Sequence, residues 1–364
     1  MSSNIPQHLL EHFYRPFCSE DEIARIFDVQ SADDYLLKTR ADYVADHIRL
    51  YRIMRRRMTI VGDSWSFTEH FHRKEFDDYL GQLSDKDLQR CAGLSNGYVF
   101  STDPNGVCAD TPFGTVIMVS EALRYFLFYM SLAHFDHGIE VPVEVRMHAQ
   151  MIAIRVMLES ESLDFDLDPR GEFPDGLETT LSASVEASLE FVIGHEYSHH
   201  FLEHLDNSTL TNRALMYGEL GGAAPPPHRI YSHKEQHEFD ADIDAIARPE
   251  CSTEYRLKLI YGAIVFFAFL DVYAAAKNQI APVHASSKSH PDPIDRLWNV
   301  FRSFSETYEI DKSYVDGLLE LLSVQKSYLS KNIAVNIDSY ETYGSVYLAD
   351  WRGPELVDRV DYYF

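Results

Sequence analysis

The chain has 364 residues, 45% hydrophobic and 13% aromatic, which is enough apolar sequence for a sizeable core and excludes a disordered chain. With 32 Lys and Arg against 57 Asp and Glu the formal net charge is −25, so phosphate backbones are repelled and nucleic acid is a poor partner. Cys18, Cys91, Cys108 and Cys251 stand without CxxC spacing, which argues against a thiolate metal cluster or disulfide framework and fits a reducing compartment.

The first residues, MSSNIPQHLLEHFYRPFCSEDE, lack the basic start and apolar core of a signal peptide. Residues 1–90 are expected to form an N-terminal helical region, with Ile23, Ile26 and Phe27 at helical spacing and a second, arginine-rich helix from Tyr43 to Met58. Turn chemistry clusters from Ser95 to Gly114, where Asn-Gly and Asp-Pro pairs predict loops or a hairpin. A β run, Thr115 to Val119, follows, and Ser120 is a candidate N-cap for a helix from Ala122 to about Phe135. Another helix is expected from Val143 to Leu158.

Asp164, Asp166 and Asp168 imitate the start of a calcium loop. Pro169 stands where that loop needs glycine and Asp175 where it needs glutamate, so a solvated acidic loop is the expectation. A long helix is expected from about Thr180 to Leu205. The proline run of Gly221 to Arg229 then forbids helix and is a candidate lid. Helices resume at about His233 to Ala247, Thr253 to Lys277 and after Pro293, and the tail from residue 306 is expected to be a helical extension. The most apolar stretch, Leu259 to Leu270, falls short of the ~20 residues that span a bilayer. A buried helix, no membrane insertion and a cytoplasmic location are expected.

The chemistry concentrates in His195-Glu196-Tyr197-Ser198-His199. Histidines four apart lie about 40° apart on a helix, so two imidazoles can converge on one metal ion, with Glu196 beside them as a base. The motif is cheap by chance, and a helix with two surface histidines is the bland alternative. Against it, Leu181, Val185, Leu189 and Val192 form an apolar stripe near the same face. Three protein ligands plus water is the open coordination of catalytic zinc. The positions where a third histidine would follow in HExxHxxGxxH hold Leu202 and Leu205. Glu238, in His237-Glu238-Phe239-Asp240-Ala241-Asp242, supplies a carboxylate instead. Asp242, one turn on, can hold the free N–H of a ligand histidine. Taking the two ligands as one direction, His200 and His204 point about 120° and 160° away on the same helix, so neither is expected as a ligand. His233 and His237 are exposed or substrate-facing candidates.

HExxH followed by ExxAD, with Ser289-His290-Pro291 and Arg296-Leu297 further on, resembles the gluzincin metallopeptidases, in particular the CAAX prenyl protease-like group and its soluble relatives. In layout, with N-terminal helices ahead of a late HExxH, the chain also resembles the Lit-like phage-exclusion proteases. The resemblance covers about Gly114 to Leu297. It implies an α+β, mainly helical zincin-like domain (residues 91–305) with a small mixed sheet, and one Zn2+ per chain on His195, His199 and Glu238. It further implies oxyanion stabilisation by His290, whose alternative is a turn histidine, an ordering role for Arg296, and a substrate strand beside Val116, Ile117 and Met118 at the sheet edge.

The expected reaction is hydrolysis of a peptide bond in a protein or peptide substrate, with Glu196 moving the proton. A narrow substrate range and a regulatory or defence role are the expected biology. The rivals are a zinc-stabilised interaction protein without turnover, which leaves Glu196 without purpose, and a hydrolase of non-peptide amides.

Overall fold

In the computed structural model the described residues are 7–101, 105–204, 210–211, 230–231, 235–281 and 291–353. The N-terminal third holds six helices: α1 (Gln7–Tyr14), α2 (Glu20–Phe27), α3 (Ala32–Asp46), α4 (Ile48–Val61), α5 (Lys74–Leu80) and α6 (Asp85–Arg90). The single arginine-rich helix expected from Tyr43 is in fact two, because His47 leaves the helical region at φ −129° and ψ 110°. Ser19 begins α2 with a capping box, its side chain accepting from Glu22 N while Glu22 reaches back to Ser19 N.

Three strands follow, β1 (Ser95–Val99), β2 (Gly106–Thr111) and β3 (Gly114–Ser120), in the order β1-β3-β2. β1 runs parallel to β3 and β2 antiparallel to it, so the sheet is small and mixed. The segment expected to hold loops or a hairpin carries β1 and β2, and β2 with β3 forms the hairpin. Gly97 of β1 sits under a buried arginine: a Cβ would lie 2.1 Å from Arg40 Nη2, and Arg40 Nε donates to Tyr98 O at 2.8 Å. The glycine makes room for a side chain rather than for a turn.

β3 is the middle strand, paired on both sides. This corrects the expectation that Val116, Ile117 and Met118 form a substrate-binding sheet edge: their backbone groups are engaged by β1 and β2, and all three side chains are buried. The edge on that side is β2.

Ser120 caps α7 (Glu121–His134), accepting from Ala122 N as its position predicted. α8 (Val143–Met157) packs along α7, and α9 (Leu177–Phe201) starts after the left-handed Gly176. A two-stranded ladder, β4 (Leu210–Thr211) with β5 (Ile230–Tyr231), precedes α10 (Glu235–Ala247), α11 (Thr253–Ile280), α12 (Pro293–Phe304) and α13 (Lys312–Glu341).

By length and composition α11 could cross a membrane, the one described helix that could, but most of its apolar window is buried inside the fold. It packs on α9, α12 and α13 and is a core helix here. One contiguous core cluster runs from Tyr14 through Phe191 and Phe267 to Leu348, so residues 1–90, 91–305 and 306–364 all contribute to it.

The acidic loop is only partly solvated: Asp166 and Asp175 are exposed, but other acids are not. Glu161, Asp164 and Asp168 are buried, and Arg170 lies wholly inside among them. Arg170 Nε donates to Glu161 Oε1 at 2.9 Å and its Nη2 to Asp164 Oδ1 at 3.0 Å, while Arg49 takes the other Asp164 oxygen at 2.8 Å. Guanidinium groups thus occupy the positions among the carboxylates that a calcium-loop reading reserves for an ion. Arg170, in the loop itself, turns inward between its own acids, and Arg49 reaches Asp164 from α4; composition records neither placement.

Candidate metal centre

The helix that carries His195 and His199 is enclosed. From Ser188 to His199 every α9 residue is buried, which a helix attains only at the centre of a fold. Two glycines set its neighbours. A Cβ at Gly262 of α11 would stand 2.3 Å from Ala187 O, so the backbones of α9 and α11 touch, and Ser188 Oγ donates to Gly262 O at 3.0 Å. A Cβ at Gly194 would strike the Tyr79 ring of α5 at 2.5 Å, and the Tyr79 hydroxyl donates to Ala245 O of α10 at 3.1 Å. An N-terminal helix therefore braces both helices of the site.

On that scaffold His195, His199 and Glu238 converge as a buried group able to hold a metal ion. The two Nε2 atoms are 3.0 Å apart, Glu238 Oε2 is 3.6 Å from His195 Nε2, and Glu238 Oε1 is 3.6 Å from His199 Nε2. Ligands at about 2.0–2.1 Å around a tetrahedral ion stand about 3.3 Å from one another, so the three edges fit such an ion. The donor set, two imidazoles and a carboxylate, suits a divalent metal of intermediate softness.

The surrounding charges agree. Asp242 Oδ1 accepts from His195 Nδ1 at 2.9 Å, which turns the Nε2 lone pair toward the ion position. Burial opposes a positive ring at His195, but Asp242 and Glu238 outweigh it and raise its pKa to about 9. Arg296 of α12 donates to both Asp242 oxygens, at 2.8 and 2.6 Å, and lies 3.1 Å from Glu238 Oε2. Three buried carboxyl side chains, Glu196, Glu238 and Asp242, thus lie around the two imidazoles against a single guanidinium, an acidic setting suited to a cation.

Glu196 lies next to the edge strand. A Cβ at Gly106, the first residue of β2, would be 2.6 Å from Glu196 Oε1. Gly106 was not singled out from the sequence; its Asn-Gly pair was read only as marking a loop or hairpin.

His204 also departs from expectation. The helix ends at Phe201, and Glu203 adopts a left-handed φ of 55°, so the chain folds back instead of continuing the wheel. His204 Nδ1 arrives 2.9 Å from His199 Nδ1, and the His204 ring stacks on His237 at 4.2 Å and 7°. His200 does point away, toward Arg90 O at 3.2 Å.

The arrangement thus brings together His195, Glu196, His199, Glu238, Asp242 and Arg296, and keeps Val116, Ile117 and Met118 in the sheet interior. His290, His233 and the loop of residues 221–229 lie outside the described residues. Comparison with known protein families, with curated proteins and with solved structures finds no match to this chain.

Proposed function

We propose that this chain is a zinc-dependent endopeptidase of the gluzincin type, acting on an extended segment of a protein or peptide. The observation that carries the reading is the convergence of two imidazole nitrogens and a carboxylate at tetrahedral spacing, with Glu196 beside them against an edge strand. When bound, zinc lowers the pKa of a water molecule from ~15.7 towards ~7 and polarises a carbonyl.

The remaining chemistry belongs to side chains. His195, His199 and Glu238 hold the ion. Asp242 fixes the His195 tautomer, and Arg296 keeps Asp242 and Glu238 in place. Glu196 takes the proton of the attacking water and delivers it to the leaving amine. The substrate backbone lies along β2, the outer strand of the three-stranded sheet, against which β5 also packs, and adds to it as a further strand. The substrate side belongs to β2 rather than β3 because only an edge strand has backbone groups to offer. The oxyanion role of His290 rests on the His-Pro resemblance alone. A cytoplasmic protease with narrow specificity, of regulatory or defence type, fits the acidic composition and the N-terminal helices that brace the site.

The test is the metal content of purified wild type beside Glu238→Ala, followed by turnover of wild type beside Glu196→Gln on a peptide library. We expect about one zinc per wild-type chain, most of it lost in Glu238→Ala, and Glu196→Gln that keeps zinc while losing cleavage. Zinc retained by Glu238→Ala would overturn the ligand set, and equal cleavage by Glu196→Gln would overturn the mechanism.

A further inference from the structure

His204 forms two contacts that neither ligand chemistry nor packing volume requires of a histidine. Its Nδ1 stands 2.9 Å from the Nδ1 of His199, the nitrogen that faces away from the ion position. Two imidazole nitrogens at that distance share one proton: His199 Nδ1–H donates, and His204 Nδ1 must be the acceptor. The donor role leaves His199 Nε2 bare, as a metal ligand has to be. For His195 the same task falls to a carboxylate, Asp242. The two ligands are therefore oriented by different partners, one anionic and one neutral.

The second contact links the helices. The His204 ring lies flat on His237, which immediately precedes Glu238 on α10. Through one side chain the second ligand of α9 and the helix bearing the third ligand are held in register. This geometry depends on the left-handed turn at Glu203, with Leu202 N donating to Ser198 O at 2.8 Å and His204 N to His199 O at 3.1 Å. His204 is 6% exposed, so water does not compete freely for the His199 proton.

We propose that His204 is a positioning residue of the metal centre, accepting the Nδ1 proton of His199 and thereby fixing the tautomer and orientation of that ligand. The inference rests on the metal-site reading above and reaches beyond the HExxH and ExxAD residues. The chemistry makes one discriminating demand. An asparagine carries its side-chain oxygen near the place of a histidine Nδ1 and can accept the same proton. A phenylalanine preserves the ring and its stack on His237 but accepts nothing.

The experiment compares wild type, His204→Asn and His204→Phe. Zinc affinity is measured by competition with a chelator, and the visible absorption of each protein is recorded after loading with Co2+. Far-ultraviolet circular dichroism of the metal-free forms identifies any variant that fails to fold. We expect His204→Phe to bind zinc about 10–100-fold more weakly, with a shifted Co2+ spectrum, and His204→Asn to stay within a few-fold of wild type with its spectrum restored. Folded His204→Phe with wild-type affinity and spectrum would overturn the proposal, as would equal losses in both variants, which would trace the effect to volume or stacking. Should His204→Phe not fold, weakened binding by folded His204→Asn alone would overturn it. Wild type that takes up neither zinc nor Co2+ would overturn the metal-site reading itself, a failure distinct from a variant-specific result.

Discussion

The methyl group that Gly106 lacks is what allows Glu196 to lie against the edge strand. A Cβ there would meet Glu196 Oε1 at 2.6 Å and Cγ at 3.0 Å, closer than such atoms approach. The three atoms nearest that position all belong to Glu196, so the substitution acts on the base first. Gly106→Ala should keep the metal content of wild type and lower kcat by about 100-fold, since displacing a catalytic group by about 1 Å costs that much. Assay on a library peptide that wild type cleaves decides it, and unaltered kcat would show that Glu196 does not work from this position. Asp242 and Arg296 illustrate the same residue-scale logic. The aspartate was anticipated from its spacing to Glu238, and an ordering role for Arg296 through Glu238 or Asp242 from the resemblance, with a surface charge as the alternative; the fold has Arg296, 54 positions away, on both Asp242 oxygens.

At the scale of elements, the ligand geometry depends on how closely helices approach. α9 and α11 touch at Gly262, where an added Cβ would stand 2.3 Å from a backbone oxygen that no rotamer change can move. Gly262→Ala is expected to destabilise the protein by about 1–3 kcal/mol through overpacking, read from urea unfolding. Gly317 on α13 is the control. It is helical with open space around its Cβ position, and Gly317→Ala should stabilise by about 0.5–1 kcal/mol. Equal effects at the two sites would mean that the α9–α11 contact is looser than described. Existence and type of most helices were legible, because periodicity and caps are local. Ser120, for example, accepts from Ala122 N where a cap was expected. The break at His47 and the stop at Phe201 were not legible, because each depends on what the departing chain packs against. At α9 the Arg90 side chain supplies part of the answer, donating to Phe201 O at 2.7 Å across the helix end.

At the scale of the whole molecule, the C-terminal segment is tied to the interior through a buried ion-pair knot. Arg155 joins Glu161 at 2.7 Å and also donates to the carbonyls of Ser339, Thr342 and Gly344. Val346 N donates to Glu161 Oε1 at 3.0 Å, and Leu348 N to Arg170 O at 2.7 Å. Arg170→Ala would leave Glu161 and Asp164 with buried charge that is only partly answered, at a cost of about 3–5 kcal/mol. Limited proteolysis should then release the segment around residues 340–351 well before global unfolding, and resistance equal to wild type would show that the knot does not fasten it.

A pH dependence follows from His134, buried between α7 and α8. Burial, with Arg146 adding repulsion, lowers its pKa to about 4, and Gln150 Nε2 donates to the unprotonated ring at 3.4 Å. The unfolded chain binds this proton near the ordinary value of about 6.5 and the folded chain does not, so stability falls as pH drops from about 6.5 toward 4. The loss from this group is about 1.4 kcal/mol per pH unit. Denaturant unfolding of wild type and His134→Gln across that range should show the variant losing less by this slope, and parallel curves would mean that His134 titrates normally in the fold.

What the sequence determined by itself was whatever local spacing encodes: helices with their caps, histidines one turn apart, a carboxylate pair one turn apart, and an apolar stripe on the same helix as the imidazoles. Those features follow from backbone geometry, which is the same wherever the helix is placed. Only the tertiary structure decided which strand is the edge, that Arg49 reaches Asp164 from 115 positions away, and that His204 returns to His199. Each of these depends on contacts between segments distant in the chain or on a backbone reversal at one residue. Their free energy comes from packing and charge pairing across the core, and no periodicity in the sequence records it.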